Sequence, residues 1–259
     1  MERKLILVTN DDGVSAQGIN ELTHLVSQLG DVVVVAPDTA RSGAGCSITH
    51  TVPVGLRLFS ETENIRVYAC SGNPVDCVKL GLEQACPRRP DLLVSGINHG
   101  DNASCSIHYS GTMGAVIEGC LKDIPSVGYS LRTRSAQCDF APYRQAIVHI
   151  SRFVLEHGLP QGICLNVNFP EVHQLAGVRI TRMARGNWRH EWVSAHHPHG
   201  TNSFWLTGEF YNLEPECDDT DYWALDHGYA SITPIQLDMT AHHALAMLAP
   251  LASDAQKLD

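Results

Sequence analysis

The sequence has no long hydrophobic run and little positive charge. Its 259 residues include 18 Lys and Arg against 28 Asp and Glu, a formal net charge of −10. No segment stays apolar over the roughly 20 residues that a membrane span needs, and the apolar run near Met1 is too short for a signal peptide. The acidic balance disfavours a broad surface for a nucleic-acid polymer. We therefore expect no membrane role and no nucleic-acid polymer as the main partner.

The cysteines also show no ordered arrangement. There are nine, an odd number, and no Cys-x-x-Cys pair occurs. This favours reduced thiols over a disulfide framework, so we expect a cytoplasmic protein. Hydrophobic residues make up 44% and charged residues 18% of the chain, which is typical of a globular protein. The length allows one large α/β domain or two small ones.

Strand-like and helix-like segments alternate through the first two thirds of the chain. Apolar runs predict buried strands that begin near residues 5, 31, 64, 91, 125 and 162. Between them, helical patterns cover residues 19–29, the segment after Asn73 and Pro74, the segment after Ser110, and residues 139–157. Repeated βα units of this kind predict a largely parallel sheet with helices on both faces.

The pattern changes near residue 178. Residues 178–210 mix alternating polarity, aromatic side chains and glycine, which is typical of hairpins. One more strand near residues 228–240 and a short terminal helix follow. We therefore divide the chain into an α/β core, residues 1–178, and a second segment, residues 179–259. That segment comprises a hairpin arm, a returning strand and a C-terminal helix, and it is not an independent domain.

Polar clusters follow several of the predicted strands. Asp11 and Asp12 end the first strand, Ser42 follows the second, and Asn98 follows the strand that begins at Asp91. Ligands of open parallel sheets bind outside the carboxyl ends of the strands, so these clusters are expected to converge. Two carboxylates suit a hard cation such as Mg²⁺ or Mn²⁺. The alternative for the acidic pair is a helix N-terminus, where acids interact favourably with the dipole.

Ser42 and Asn98 would add neutral oxygen ligands. Two carboxylates already balance a dication, so neutral ligands let a phosphate dianion approach without added repulsion. Because Mg²⁺ takes about six ligands, four protein groups leave places for water and phosphate. Judged singly, Ser42 is also a normal turn residue and Asn98 a normal Asx-turn or cap residue.

The segment YSGTMGAVIEG predicts an anion-binding helix start. Ser110, Gly111 and Thr112 lie where backbone N–H groups point at a bound anion, and glycine permits a close approach. The alternative is a Ser or Thr N-cap without a ligand. His99 and His108 flank the proposed site and could act as acids or phosphate ligands, although two histidines in a loop are more often bystanders.

A histidine cluster, HHPH at residues 196–199, has the composition of a metal site. It lacks a cysteine or carboxylate partner at ligand spacing. We therefore interpret it as an exposed loop.

Six ordered motifs resemble the SurE family, the stationary-phase survival proteins that act as metal-dependent 5'/3'-nucleotidases. The motifs are ILVTNDDGVSAQGI, VVVVAPDTARSGAGCSIT, GNPVDCVKLGL, LLVSGINHGDN, YSGTMGAVIEG and GYASITPIQLDMT. The resemblance is dense over residues 5–131 and returns at residues 219–240. Six motifs in order are far more specific than an acidic pair.

The resemblance implies a Rossmann-like, three-layer α/β/α core with a mostly parallel sheet. It also implies a hairpin arm and a C-terminal segment that are exchanged between subunits, in a homodimer or homotetramer. The implied activity is removal of phosphate from nucleoside 5'- and 3'-monophosphates, with polyphosphate trimming in some members.

The family's site residues can be transferred motif by motif. One divalent cation per subunit, Mg²⁺ or Mn²⁺, would be held by the matching residues Asp11, Asp12, Ser42 and Asn98. Of these, Asp11, Asp12 and Asn98 are the catalytic candidates. The candidates for contact with substrate are Asn10, Ser110, Gly111 and Thr112.

Two other classes of protein place acids after a first strand. Haloacid-dehalogenase-type phosphatases form a covalent aspartyl-phosphate, but they use an Asp-x-Asp pattern, whereas the acids here are adjacent. Receiver domains, which are binding modules without turnover, need an aspartate at the end of a later strand. The segments VYACSGN and LLVSGIN end without one.

Overall fold

The computed structural model describes residues 3–133, 135, 137–195, 200 and 202–255. Within those ranges the strands are β1 (Leu5–Thr9), β2 (Asp31–Pro37), β3 (Leu56–Glu61), β4 (Ile65–Cys70), β5 (Leu92–His99), β6 (Ser126–Arg132), β7 (Ile163–Pro170), β8 (Gly177–Ile180), β9 (Gly186–Arg189), β10 (Trp192–Ala195), β11 (Ser203–Leu206), β12 (Glu209–Asn212) and β13 (Tyr229–Gln236). The α-helices there are α1 (Gln17–Val26), α2 (Pro74–Leu80), α3 (Gly111–Leu121), α4 (Arg144–His157), α5 (Asp221–Asp226) and α6 (Leu245–Ala255).

Nine of these strands form one sheet in the order β3-β4-β2-β1-β5-β6-β7-β13-β8. The six strands from β4 to β7 run parallel, while β3 is antiparallel to β4 and β13 is antiparallel to β7. The chain leaves β1 toward β2 on one side and returns to β5 on the other. The carboxyl end of β1 is therefore a topological switch point, where open α/β sheets bind their ligands.

Alternating side chains of the central strands pack into two separate apolar layers, one on each face of the sheet. In β5, Leu92 and Val94 join the layer under α1 and α4, while Leu93 joins the layer under α2 and α3. Successive residues of a strand point to opposite faces, so a strand covered on both faces must be apolar throughout. Each buried leucine contributes about 1.5–3 kcal/mol. The predicted three-layer α/β architecture is confirmed.

Two predicted helix starts are present with their caps. The Asn73 backbone N–H donates to Asp76 Oδ2 at 2.8 Å, and Pro74 is the first residue of α2. At α3, Ser110 Oγ accepts from the Met113 backbone N–H at 3.0 Å. Each contact satisfies a backbone group that a helix N-terminus leaves without an internal partner.

The second segment contributes both to the sheet and to a separate arm. The predicted boundary at residue 178 falls inside β8, which pairs with β13 at the edge of the main sheet. The hairpin-like region forms two antiparallel pairs, β9 with β12 and β10 with β11. We call residues 186–212 the arm. The predicted exposed loop of histidines at residues 196–199 lies outside the described residues.

Two local predictions differ from the structure. The helix expected from residue 139 begins at Arg144, because a 3₁₀ turn, Ala141–Tyr143, precedes it and the Asp139 side chain accepts from the Ala141 N–H. Strand β3 was not predicted, because most of its side chains are exposed and it therefore lacks a buried apolar run.

Among the described residues, no helix has both the length and the apolar character needed to traverse a bilayer.

Candidate active site

Three strand ends and one helix start meet at the switch point. Asp11 follows β1, Ser42 lies in the loop after β2, and Asn98 lies near the end of β5. The first residue of α3, Gly111, packs directly against Asp11. A Cβ added at Gly111 would lie 2.8 Å from Asp11 Cβ, so only glycine permits this approach. The positive end of the α3 dipole therefore faces the acidic pair.

Asp11 is almost fully buried, with 4% of its surface exposed. Its Oδ1 accepts a hydrogen bond from Thr112 Oγ1 at 2.5 Å. Burial raises the pKa of Asp11 to about 6, because the charged form loses its hydration, and the neighbouring Asp12 adds repulsion. An adjacent cation would relieve both costs.

Asp12 lies beside His99. Its Oδ2 accepts from the His99 backbone N–H at 3.2 Å and lies 3.5 Å from the ring Nδ1. The other ring nitrogen of His99, Nε2, is buried without a hydrogen-bond partner among the described residues. His99 therefore belongs to the site, whereas His108 is exposed on the neighbouring 3₁₀ turn.

The side-chain orientations of Asn98 and Ser42 suit oxygen ligands. Asn98 Nδ2 donates to the Gly100 carbonyl at 2.8 Å, which leaves the amide oxygen Oδ1 available. Ser42 is held near Asp11 because the Arg41 backbone N–H donates to the Asp11 carbonyl at 2.7 Å. Its side chain is exposed, so the hydroxyl is open to a ligand.

A cavity of about 440 Å³ brings the converging residues together, with Asp11, Ser42, Asn98 and Ser110 in its wall. Among the described residues, its lining contains the carboxylates of Asp11, Asp101 and Glu191 but neither lysine nor arginine. The described residues also contain no group of three or more His, Cys, Asp or Glu that could hold a metal. A metal here would thus need neutral oxygen ligands beside the acidic pair.

The family model described as Survival protein SurE matches residues 6–190 of this chain. The chain belongs to the SurE family. A protein named 5'-nucleotidase SurE from Phocaeicola vulgatus is 55% identical over 241 residues, which cover 93% of this chain and 94% of that one. A protein of the same name from Bacteroides fragilis is 50% identical over 93% of this chain and 95% of its own.

A solved structure agrees with the fold of this SurE family member. The crystal structure of the SurE protein from Aquifex aeolicus superposes with a TM-score of 0.83 at 35% sequence identity. The match covers 96% of this chain and 99% of that one. The agreement therefore includes the core and most of the second segment.

Three of the residues predicted to contact substrate also make structural contacts. Asn10 has no exposed surface, and both ends of its amide pair with the Gly13 backbone at 3.0 and 3.2 Å. It shapes the turn that follows β1 and does not line the cavity. Thr112 is buried and its hydroxyl donates a hydrogen bond to Asp11. Gly111 packs against the Asp11 side chain. Of the predicted phosphate-binding residues, only Ser110 lines the cavity.

Other lining residues were not predicted from the sequence. Asp101, Asn102, Ser106 and Tyr109 lie in the polar segment after β5, so their position near a strand end was a usable signal. The opposite wall comes from the arm and consists of Trp188, Glu191, Leu206 and Thr207. No periodicity or motif in the sequence connects the arm to this wall.

The arm is attached to this polar segment through Asp221. The Asp221 carboxylate accepts from the Ser104 backbone N–H at 2.7 Å and from the Ala184 backbone N–H at 2.9 Å. Ser104 Oγ also donates to the Ala184 carbonyl at 2.7 Å. One buried junction therefore sets the position of the arm relative to the cavity.

Proposed function

We propose that this protein is a divalent-metal-dependent phosphomonoesterase that hydrolyses nucleoside 5'-monophosphates, and also 3'-monophosphates, to nucleoside and phosphate. The names of its relatives support nucleotidase activity. The position of the cavity at the sheet switch point supports a phosphate-binding role there.

The observation that carries the metal requirement is the charge of the cavity. The wall contains three carboxylates and no lysine or arginine among the described residues, so its full charges repel an entering phosphate dianion. The start of α3 offers partial positive charge but no full cation. A bound dication makes phosphate entry favourable.

The donor set fits Mg²⁺ or Mn²⁺. Carboxylate, hydroxyl and amide oxygens are hard ligands, and we assign Asp11, Asp12, Ser42 and Asn98 to one cation per subunit. Two negative charges balance a dication, so the ligand set itself adds no excess negative charge to the cavity. The free Oδ1 of Asn98 and the exposed hydroxyl of Ser42 support this assignment.

Each of the chain's own groups has a defined task in the reaction. Thr112 fixes the Asp11 carboxylate through its hydrogen bond, and the His99 backbone N–H fixes that of Asp12. Ser110, at the start of α3, offers its hydroxyl to a phosphoryl oxygen on the cavity wall. When bound, the metal polarises the phosphoryl oxygens and lowers the pKa of a water ligand. Transfer of the phosphoryl group to water releases phosphate and the nucleoside with its free hydroxyl.

Metal removal tests this proposal. Enzyme stripped with excess chelator should release phosphate from adenosine 5'-monophosphate at least about 100-fold more slowly than metal-replete enzyme, since the metal stabilises charge in the transition state. Adding Mn²⁺ or Mg²⁺ should restore the rate. Full activity of stripped enzyme in chelator would exclude the metal mechanism.

The covalent aspartyl-phosphate alternative makes a different prediction. It requires a carboxylate free to attack phosphorus, whereas Asp11 and Asp12 each already accept a hydrogen bond and are assigned to the metal. Acid quenching during turnover of labelled substrate should leave no label on the protein. Stoichiometric labelling of an aspartate would favour the dehalogenase-type reaction.

We propose that the protein works as a homodimer or homotetramer in the cytoplasm, where its nine cysteines remain reduced. The support for assembly is apolar surface on the arm, where Trp205 is 71% and Leu206 67% exposed. Side chains of this size are seldom grouped on the surface of a monomer.

A further inference from the structure

A second cavity of about 610 Å³ adjoins the first and shares Asp101 and Trp188 with it. Its wall combines three aromatic and three acidic side chains, Trp188, Phe210, Tyr222, Asp101, Glu171 and Glu209. The first cavity contains three of the four predicted metal ligands, Asp11, Ser42 and Asn98. The second adds a cluster of aromatic side chains directly beside the proposed phosphate site.

The aromatic side chains of the second cavity support one another. Phe210 stacks on Tyr222 with ring centroids 4.1 Å apart, and Trp188 meets Phe210 edge to face at 6.0 Å. Trp188 is only partly buried and lines both cavities. An indole held in this way by a fixed neighbour provides a rigid apolar surface for a flat ring.

The charge of the second cavity selects against an anion. Its one cationic side chain among the described lining residues is Arg132, whose Nη2 lies 2.7 Å from Asp226 Oδ1 and whose Nε lies 3.7 Å from Asp101 Oδ2. Glu209 and Glu171 add negative charge. Carboxylates accept hydrogen bonds from hydroxyl and amino groups, so a neutral ring system that carries such donors fits, whereas a second phosphate does not.

We propose that the second cavity holds the nucleoside moiety of the substrate, with the base against Trp188 and hydrogen-bond donors of the sugar or base facing the acidic side chains. This inference rests on the proposed function. It explains why the arm forms a wall of the site: the core binds the phosphate, and Trp188 distinguishes a nucleotide from a phosphate ester without a base.

The test compares a substrate that has a base with one that lacks it. The kcat/KM values for adenosine 5'-monophosphate and ribose 5-phosphate would be measured for the parent, Trp188→Leu, Trp188→Phe and Trp192→Leu. Trp192 is a matched control, since it lies on the neighbouring hairpin and lines neither cavity. Stacking on an aromatic side chain typically strengthens binding of a base at least about fivefold.

We expect the ratio of the two kcat/KM values to fall at least about fivefold in Trp188→Leu, to be largely kept in Trp188→Phe, and to stay unchanged in Trp192→Leu. A parent that cleaves the nucleotide but whose ratio does not move in Trp188→Leu would overturn this inference alone. A parent that cleaves neither ester would overturn the proposed function.

Adenosine binding provides a second readout that does not depend on turnover. Adenosine should quench the tryptophan fluorescence of the parent and of Trp192→Leu, and the quench should be lost in Trp188→Phe. Persistence of the full quench in Trp188→Phe would contradict the assigned base position.

The effect of the acidic side chains of the second cavity on substrate choice can be tested with a substrate that carries an extra phosphate. In Glu209→Gln, the kcat/KM for adenosine 3',5'-bisphosphate relative to the monophosphate should rise at least about twofold, because one repulsive charge is gone. Glu216→Gln, an exposed acid that does not line the cavity, is the control. An unchanged ratio in Glu209→Gln would contradict the placement of the nucleoside beside this residue.

Discussion

The core and the arm differ in where their apolar side chains are buried. In the core, β1 is fully buried and the apolar faces of the helices are covered by the sheet. In the arm, Trp192, Trp205 and Leu206 are each about two thirds or more exposed, at 66%, 71% and 67%. The core buries most of its apolar side chains within one chain, whereas the arm leaves several of its largest ones exposed.

The two regions also contribute different chemistry. All four proposed metal ligands lie in the core: Asn98 is near the end of β5, and Asp11, Asp12 and Ser42 lie in the segments that follow β1 and β2. The arm supplies an aromatic and an acidic side chain to the cavity wall, Trp188 and Glu191. We infer that substitutions of the proposed metal ligands in the core change the reaction itself, while those of the arm's exposed or cavity-lining residues change substrate choice and assembly.

The largest expected effect is in the core. Asp11→Asn keeps the shape of the side chain and an acceptor for Thr112, but it removes a negative charge from the proposed metal site. We expect kcat/KM to fall at least about 10³-fold, roughly 4 kcal/mol, with weaker Mn²⁺ binding by calorimetry. Asp31→Asn at the opposite end of the sheet is the control. Activity of Asp11→Asn within threefold of the parent would refute the assignment of Asp11 as a ligand.

The second largest effect is expected at Asn98, where a substitution can change the charge of the side chain while hardly changing its shape. Asn98→Asp adds a carboxylate of nearly the same size, so the cation should bind more tightly while the phosphate is repelled and the metal becomes a poorer Lewis acid. We expect Mn²⁺ affinity to rise and kcat/KM at saturating Mn²⁺ to fall at least about tenfold, or 1.4 kcal/mol. Asn98→Ala should lower both the Mn²⁺ affinity and kcat/KM. If Asn98→Asp leaves metal affinity and rate unchanged, Asn98 is only an Asx-turn residue.

The smallest effect on catalysis is expected in the arm. Trp205→Ser removes a large exposed side chain that contacts neither cavity. Light scattering should show a shift toward smaller species, because a buried tryptophan at an interface often contributes about 2 kcal/mol or more to association. Phe59→Ser, exposed on β3 at the other edge of the sheet, is the control. An unchanged oligomer would reject the arm as an assembly surface.

The sequence was informative where one physical rule determined the structure. Buried β-branched runs predicted the central strands, and Ser110 and Asn73 marked helix starts, because caps and periodicity act over a few residues. The convergence of strand ends placed Asp11, Ser42 and Asn98 in one wall.

The sequence was uninformative where long-range packing decided the outcome. Nothing in the local sequence shows that the polar atoms of Thr112 and Asn10 hold Asp11 and a turn. Their contact with substrate stays a prediction. The arm that carries Trp188 is joined at its base to the segment after β5 through Asp221, a contact between residues far apart in the sequence. Neither arrangement is encoded in local spacing.

The position of β13 between β7 and β8 has a consequence for synthesis of the chain on the ribosome. β8 ends at residue 180, but its neighbour in the sheet begins only at residue 229, after the whole arm. At about 5–20 residues per second, translation of the intervening residues takes roughly 2–10 s. During that interval the nascent chain exposes the hydrogen-bonding edge of β7. The edge of β7 is therefore covered late in synthesis, when β13 emerges and pairs with it.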